Sequence, residues 1–173
     1  MPEMLRLTPR ETIAIRSSSP EQLEVEGRWA PGGKPPPAHY HPDQDEHFEV
    51  LEGRLTARVA GEQRELGPGD TLDIPRRTRH QMWNAGEQPA RALWQTRPAG
   101  RTENWFRSVD GLYEQGRVGK NGEPGPLAYG AYLSEFRDVF RLAVGPQLLV
   151  RPLVAGLGVL GRAKGYRPET GSR

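Results

Sequence analysis

Apolar and polar side chains alternate in short segments over the first hundred residues. Apolar or small residues occupy every second position at 23–29 and again at 55–59. This period of two is what a β-strand with one buried face requires. The pattern predicts strands at residues 12–16, 22–30, 46–51, 54–60 and 90–97.

Turn-forming residues separate these segments. Glycine, proline, asparagine and aspartate cluster at residues 32–33, 53, 60–62, 67–70 and 84–87. Short strands with regular turns are typical of a β-sandwich or β-barrel. The 21 glycines and 17 prolines among 173 residues exclude a bundle of long helices.

A helical period replaces the strand period after residue 100. The apolar side chains that predict a first helix are Trp105, Phe106, Val109, Leu112 and Tyr113, and those that predict a second are Leu133, Phe136, Val139, Phe140 and Ala143. The glycine-rich residues 116–126 separate them. We therefore predict a β-barrel at residues 1–100 and a helical extension at 101–173, which packs on the barrel or in an oligomer interface.

A third apolar segment covers residues 148–166, with leucines at helical spacing and Pro152 predicted in the first turn. Its apolar run is too short and interrupted to cross a membrane, which takes about 20 apolar residues. From Val139 onward there are six basic residues and one acidic residue, a net charge of +5. We favour a helix that covers the barrel or forms a dimer contact, and the alternative is contact with a membrane surface.

Composition narrows the chemistry. The chain has no cysteine, which excludes disulfides, zinc–thiolate sites, iron–sulfur clusters and thiol catalysis. The net charge of +2, with no helix-turn-helix pattern and no phosphate-binding glycine motif, favours a small-molecule partner over nucleic acid. Residues 1–12 lack the apolar run of a signal peptide, so we expect a cytoplasmic protein, and the excess of arginine over lysine hints at a bacterial one.

Three of the four histidines have the spacing of a metal site. His39 and His41 are two residues apart and share one face of a strand, Glu46 follows a short turn-like stretch, and His80 lies in a later β-like run. Three imidazoles and one carboxylate suit one divalent transition metal ion: Fe, Mn, Ni, Zn, Co or Cu. His47 is predicted to point to the opposite face.

The same residues closely resemble the two motifs of the cupin superfamily. The first reads Gly33, five residues, His39-Tyr40-His41, four residues, Glu46, six residues and Gly53. The second reads Gly69, five residues, Pro75-Arg76-Arg77, two residues, His80, three residues and Asn84. The resemblance implies a jelly-roll β-barrel, or double-stranded β-helix, and implies that His39, His41, Glu46 and His80 are the metal ligands.

One position departs from the second motif. Arg77 stands where the family has glycine, so we expect a different turn before His80. Arg76, Arg77 and Arg79 form a basic cluster there. It is interpreted as a set of solvated or paired side chains, with recruitment of an anionic substrate as the alternative.

Side-chain parity predicts the lining of a substrate pocket. Phe48 and Val50 share the face of Glu46, while Met82 and Asn84 share that of His80. Packing of the barrel core is the alternative role for Phe48, Val50 and Met82. The tryptophans are interpreted as core or interface residues.

The hypothesis that we favour from the sequence is a metal-dependent enzyme, a dioxygenase-type oxidoreductase with Glu46 as the catalytic base. The alternatives are a cupin that binds or senses a small ligand without catalysis, and a metal-dependent isomerase or lyase. We also expect a homodimer, since a strand at 12–16 would otherwise leave an open sheet edge.

Overall fold

The computed structural model describes residues 3–168 and shows two antiparallel β-sheets followed by helices. The strands of the first part are β1 (Met4–Thr8), β2 (Glu11–Ser18), β3 (Leu23–Trp29), β4 (His39–Tyr40), β5 (Asp45–Glu52), β6 (Leu55–Val59), β7 (Glu62–Leu66), β8 (Thr71–Ile74), β9 (His80–Trp83) and β10 (Ala90–Arg97). The second part contains α1 (Thr102–Glu114), α2 (Pro126–Glu135), β11 (Arg141–Leu142) and α3 (Gln147–Ala163). A mainly β fold with a C-terminal helical part is confirmed.

The two sheets enclose the core. The larger has the order β1-β2-β3-β10-β5-β8 and the smaller the order β11-β4-β9-β6-β7. The buried side chains between them include Phe48, Val50, Leu55, Ala57 and Met82. Successive side chains on a strand point to opposite faces, so the period that buries Phe48 and Met82 also turns Glu46 and His80 inward.

The second predicted helix is shorter than its apolar pattern. Helix α2 ends at Glu135, whose carbonyl oxygen accepts a hydrogen bond from Arg101 at 2.7 Å, while Arg101 also pairs with Asp138. The prediction that Val139, Phe140 and Ala143 continue this helix was wrong. We name residues 139–142 the roof segment, because its last two residues form β11 and pair with β4, the strand of His39.

Two further expectations were wrong. Helix α3 begins at Gln147, so Pro152 lies inside the helix and not in its first turn. Residues 12–16 belong to β2, which pairs with β1 on one side and with β3 on the other. The edge of this sheet is therefore β1, and the argument for a dimer from an open edge at residues 12–16 does not hold.

Gly53 lies in the turn between β5 and β6, where the backbone leaves no space for a side chain. Its φ is +72°, and a Cβ atom there would lie 2.1 Å from the carbonyl oxygen of Pro89. Gly61, in the next turn, has a φ of +97° but no atom within 4 Å of such a Cβ. Gly53 is thus required by both conformation and space, and Gly61 by conformation alone.

We predict that Gly53→Ala lowers the free energy of unfolding by about 3 kcal/mol or more, because the new methyl group adds a backbone clash to the strain of a positive φ. Gly61→Ala carries the conformational strain without the clash and is expected to cost about 1 kcal/mol. Urea denaturation of the two variants measures the difference. Equal losses would show that the contact with Pro89 relaxes freely.

Candidate metal centre

The structure brings the distant His80 together with the neighbouring pair His39 and His41. His39 is in β4, His41 follows that strand, and His80 opens β9 directly opposite His39 in the strand register. One ring nitrogen from each histidine lies within 4.8 Å of the others. The short pairing of β4 with β9 therefore sets the distance between His39 and His80.

Backbone carbonyl groups fix the orientation of all three rings. The Nδ1 atoms contact carbonyl oxygens as follows: His39 to Pro37 at 3.2 Å, His41 to Val139 at 2.5 Å and His80 to Thr78 at 2.9 Å. A carbonyl oxygen only accepts, so each Nδ1 carries the hydrogen and donates it. In the neutral rings each Nε2 atom then offers a lone pair, the form in which imidazole binds a metal ion.

Glu46 completes the cluster from β5. Its side chain is buried, with Oε2 at 2.9 Å from His80 Nε2 and Oε1 at 3.4 Å from His41 Nε2. Oε1 also accepts a hydrogen bond of 2.9 Å from the indole nitrogen of Trp94. Within residues 3–168, His41 Nε2 and Glu46 Oε2 are buried without a hydrogen bond of good geometry.

These short contacts join atoms that would repel each other as bare acceptors. A carboxylate oxygen beside an imidazole lone pair needs a proton or a cation between them. Lone pairs that converge from three imidazoles and a carboxylate are also the donor set of a divalent first-row ion. The residues present therefore fit a metal ion.

The electrostatics follow from burial and proximity. Burial, reinforced by the neighbouring histidines, lowers the pKa of His39 well below its ordinary value, and burial also lowers the pKa of His41. Burial opposes charge on His80 and Glu46 too, but their attraction outweighs it: the pKa of His80 is raised, and the histidines lower the pKa of Glu46 to about 2. Glu46 is therefore a carboxylate at neutral pH.

The roof segment covers the outer side of this cluster. Phe140 stacks on the His39 ring with centroids 4.2 Å apart, and on Trp105 of α1 at 5.3 Å. The carbonyl group of the preceding residue, Val139, holds His41. The helical part of the chain thus supplies both a cover and a positioning group, which the sequence analysis missed.

The basic cluster beside His80 is engaged with neighbouring groups. Arg76 contacts the Asp45 carboxylate through two nitrogens, and Arg77 donates from Nε to the Pro42 carbonyl oxygen at 3.1 Å. Arg77 adopts a φ of +66°, the left-handed conformation that glycine favours. Its backbone N–H donates a hydrogen bond to the backbone carbonyl oxygen of His41. At the position where the motif has glycine, Arg77 thus adopts a backbone conformation that glycine adopts easily.

The remaining candidates make contacts with other groups. His47 points outward and contacts Asp73 at 2.7 Å. Phe48, Val50 and Met82 are packed in the barrel core. The Asn84 side chain joins its own turn to the end of β3: it donates to the carbonyl oxygens of Gln88 and Trp29 and accepts from the Gly86 N–H.

Comparisons with known proteins agree with this geometry. A family model described as "Cupin domain" matches residues 25–96. The tetracenomycin polyketide synthase protein TcmJ of Streptomyces glaucescens is 40% identical over 60 residues, 35% of this chain and 40% of that protein. Quercetin 2,3-dioxygenase of Bacillus subtilis is 34% identical over 68 residues, 39% of this chain and 20% of the dioxygenase. The chain thus spans two fifths or less of either relative.

A solved structure shows the same fold. An RmlC-like cupin from Shewanella frigidimarina superposes with a TM-score of 0.54 and 17% identity, over 60% of this chain and 89% of that one. The similarity covers more of the solved structure than of this chain.

We predict that Trp94→Phe weakens the binding of added Zn²⁺ about tenfold, because Glu46 Oε1 loses the donor that orients it. The matched control is Trp83→Phe, since Trp83 is a buried residue of β9 whose ring contacts the guanidinium group of Arg58. Competition with a chromophoric chelator gives both affinities. If the two variants bind Zn²⁺ as the unmodified protein does, Trp94 does not position the carboxylate.

We predict that Phe140→Ala speeds carbethoxylation of His39 by diethyl pyrocarbonate several-fold, because the stacked ring no longer covers the imidazole. The outward His47 serves as an internal reference in the same protein. Peptide mass spectrometry over a time course measures both rates. A His39 rate that stays constant relative to His47 would mean that other groups shield the site.

Proposed function

We propose, on the premise that residues 25–96 form a cupin domain, that the barrel holds one divalent transition metal ion on His39, His41, Glu46 and His80. The observation that carries the proposal is that one ring nitrogen from each of three histidines lies within 4.8 Å of the others, with the buried Glu46 carboxylate in contact with two of them, His41 and His80. The orphaned His41 Nε2 and Glu46 Oε2 atoms support it further. An ion between these atoms would offset the cost of burying them.

The ion would supply Lewis-acid chemistry or, if it is redox-active, one-electron chemistry at this point. The residues of the chain would supply proton transfer and the exclusion of water. The Glu46 carboxylate would accept a proton from a substrate hydroxyl group, and the Trp94 indole N–H orients it. The apolar side chains of Phe48, Val50 and Met82 would exclude water from that side.

We propose a dioxygenase-type oxidation of a polyphenol as the reaction. The identity with quercetin 2,3-dioxygenase supports it, since quercetin is a polyphenol whose acidic hydroxyl group suits a carboxylate base. The second candidate is a reaction on a polyketide, and the 40% identity with a polyketide synthase protein favours it.

The first experiment measures metal content by mass spectrometry on untagged protein purified without added metal. We expect about one transition metal ion per chain, lost in His80→Ala, because three ligands hold the ion far less tightly than four. His47→Ala is the matched control and is expected to keep the metal, since His47 points outward. Folded protein that stays empty after incubation with iron, manganese, cobalt, nickel, copper and zinc would overturn the metal site.

The second experiment tests the reaction on metal-loaded protein. We expect oxygen uptake with quercetin, reduced at least a hundredfold in Glu46→Gln, because the amide accepts no proton. An oxygen electrode gives the rate, and metal content is measured on the same sample. A loaded protein that consumes no oxygen with polyphenols would refute the dioxygenase proposal and favour the polyketide reaction or ligand binding alone.

A further inference from the structure

Helix α3 packs against α2 through small residues on one face. A Cβ atom on Gly161 would lie 2.2 Å from the Leu127 carbonyl oxygen, and one on Gly158 would lie 2.7 Å from the Cβ atom of Ser134. The two backbones are therefore in close contact. Arg117 fixes the end of α3 by donating to the carbonyl oxygens of Lys164 and Gly165.

The opposite face of α3 is apolar and exposed to solvent. Its large side chains and their exposed fractions are Leu148 86%, Leu149 67%, Leu153 63%, Val159 61% and Leu160 57%. At about 100° per residue, these five share a sector of about 140° with Pro152, Gly156 and Ala163, and the sector contains no polar residue. A continuous exposed apolar surface of this kind marks an interaction site.

The charged residues on α3 and on the described segments that flank it are all basic. Residues 141–168 contain five charged residues, all of them basic: Arg141, Arg151, Arg162, Lys164 and Arg167. On the helix, Arg151 and Arg162 lie together at one margin of the apolar sector. An apolar face with a basic margin is the pattern of a helix that lies in a membrane interface.

We propose that α3 docks in the plane of an anionic lipid surface, with its leucines at the acyl boundary and its arginines at the headgroup phosphates. Charge complementarity selects this occupant, since a second copy of the chain would bring two segments of like charge together. Among residues 3–168, the helices are too short or too polar to span a membrane. The proposal does not depend on the metal site.

The test is cosedimentation of the full chain with vesicles of phosphatidylcholine, alone or mixed with phosphatidylglycerol. We expect binding to the mixed vesicles, at least tenfold weaker binding to the neutral ones, and loss of binding at high salt. The triple variant Leu149→Gln, Leu153→Gln, Leu160→Gln is expected to lose at least tenfold in affinity. Its matched control is Leu51→Gln, an exposed leucine on the barrel.

The charge is tested separately. Arg151→Glu with Arg162→Glu is expected to remove the preference for anionic vesicles, while Arg64→Glu, an exposed arginine of β7, leaves it unchanged. The substituted residues of α3 are exposed, so circular dichroism is expected to match that of the unmodified protein. This comparison separates a lipid contact from loss of the helix.

Three results would overturn the proposal. The first is failure of the unmodified chain to bind the mixed vesicles. The second is a triple leucine variant that binds them as tightly as the unmodified chain does. The third is a dimer in sedimentation equilibrium that the triple variant converts to a monomer, because a second copy of the chain would then cover the face.

Discussion

A buried carboxylate is the constraint on which the site depends. Transfer of the charged Glu46 side chain into the barrel is costly unless other groups compensate its charge and its hydrogen-bonding capacity. His80, whose pKa is raised, and the Trp94 indole N–H compensate it in part, while His39 and His41 offer lone pairs that only a proton or a cation would join to the carboxylate. Each of these side chains must itself be oriented. The β4–β9 register, the turns before His80 and the packing of the roof segment all serve that orientation.

The path of the chain after α2 follows from this requirement. His41 needs an acceptor for its Nδ1–H, and that acceptor is the carbonyl oxygen of Val139. A carbonyl group inside a helix would already accept from the residue four positions ahead. The chain therefore leaves the helix after Glu135, with Arg101 satisfying the freed carbonyl group, and continues as β11.

The sequence predicted the features that depend on side-chain type and period. The strands and the inward direction of Glu46 and His80 follow from alternation, and the clustered histidines follow from motif spacing. The Val139 contact had no signal, because any residue carries a carbonyl group. The apolar residues from Leu133 to Ala143 fit a helical stripe, yet Phe140 instead covers His39, since an apolar pattern does not say which surface buries it.

The roof segment also joins the metal centre to helix α3. Leu142 pairs with His39 in the strand register, and its carbonyl oxygen accepts a hydrogen bond of 2.7 Å from Gln147, the first residue of α3. A link of this kind transmits a signal only if it has two alternative arrangements. The structure shows one arrangement, closed by hydrogen bonds at both ends. By this criterion, a surface contact at α3 has no means of opening the site through the roof segment.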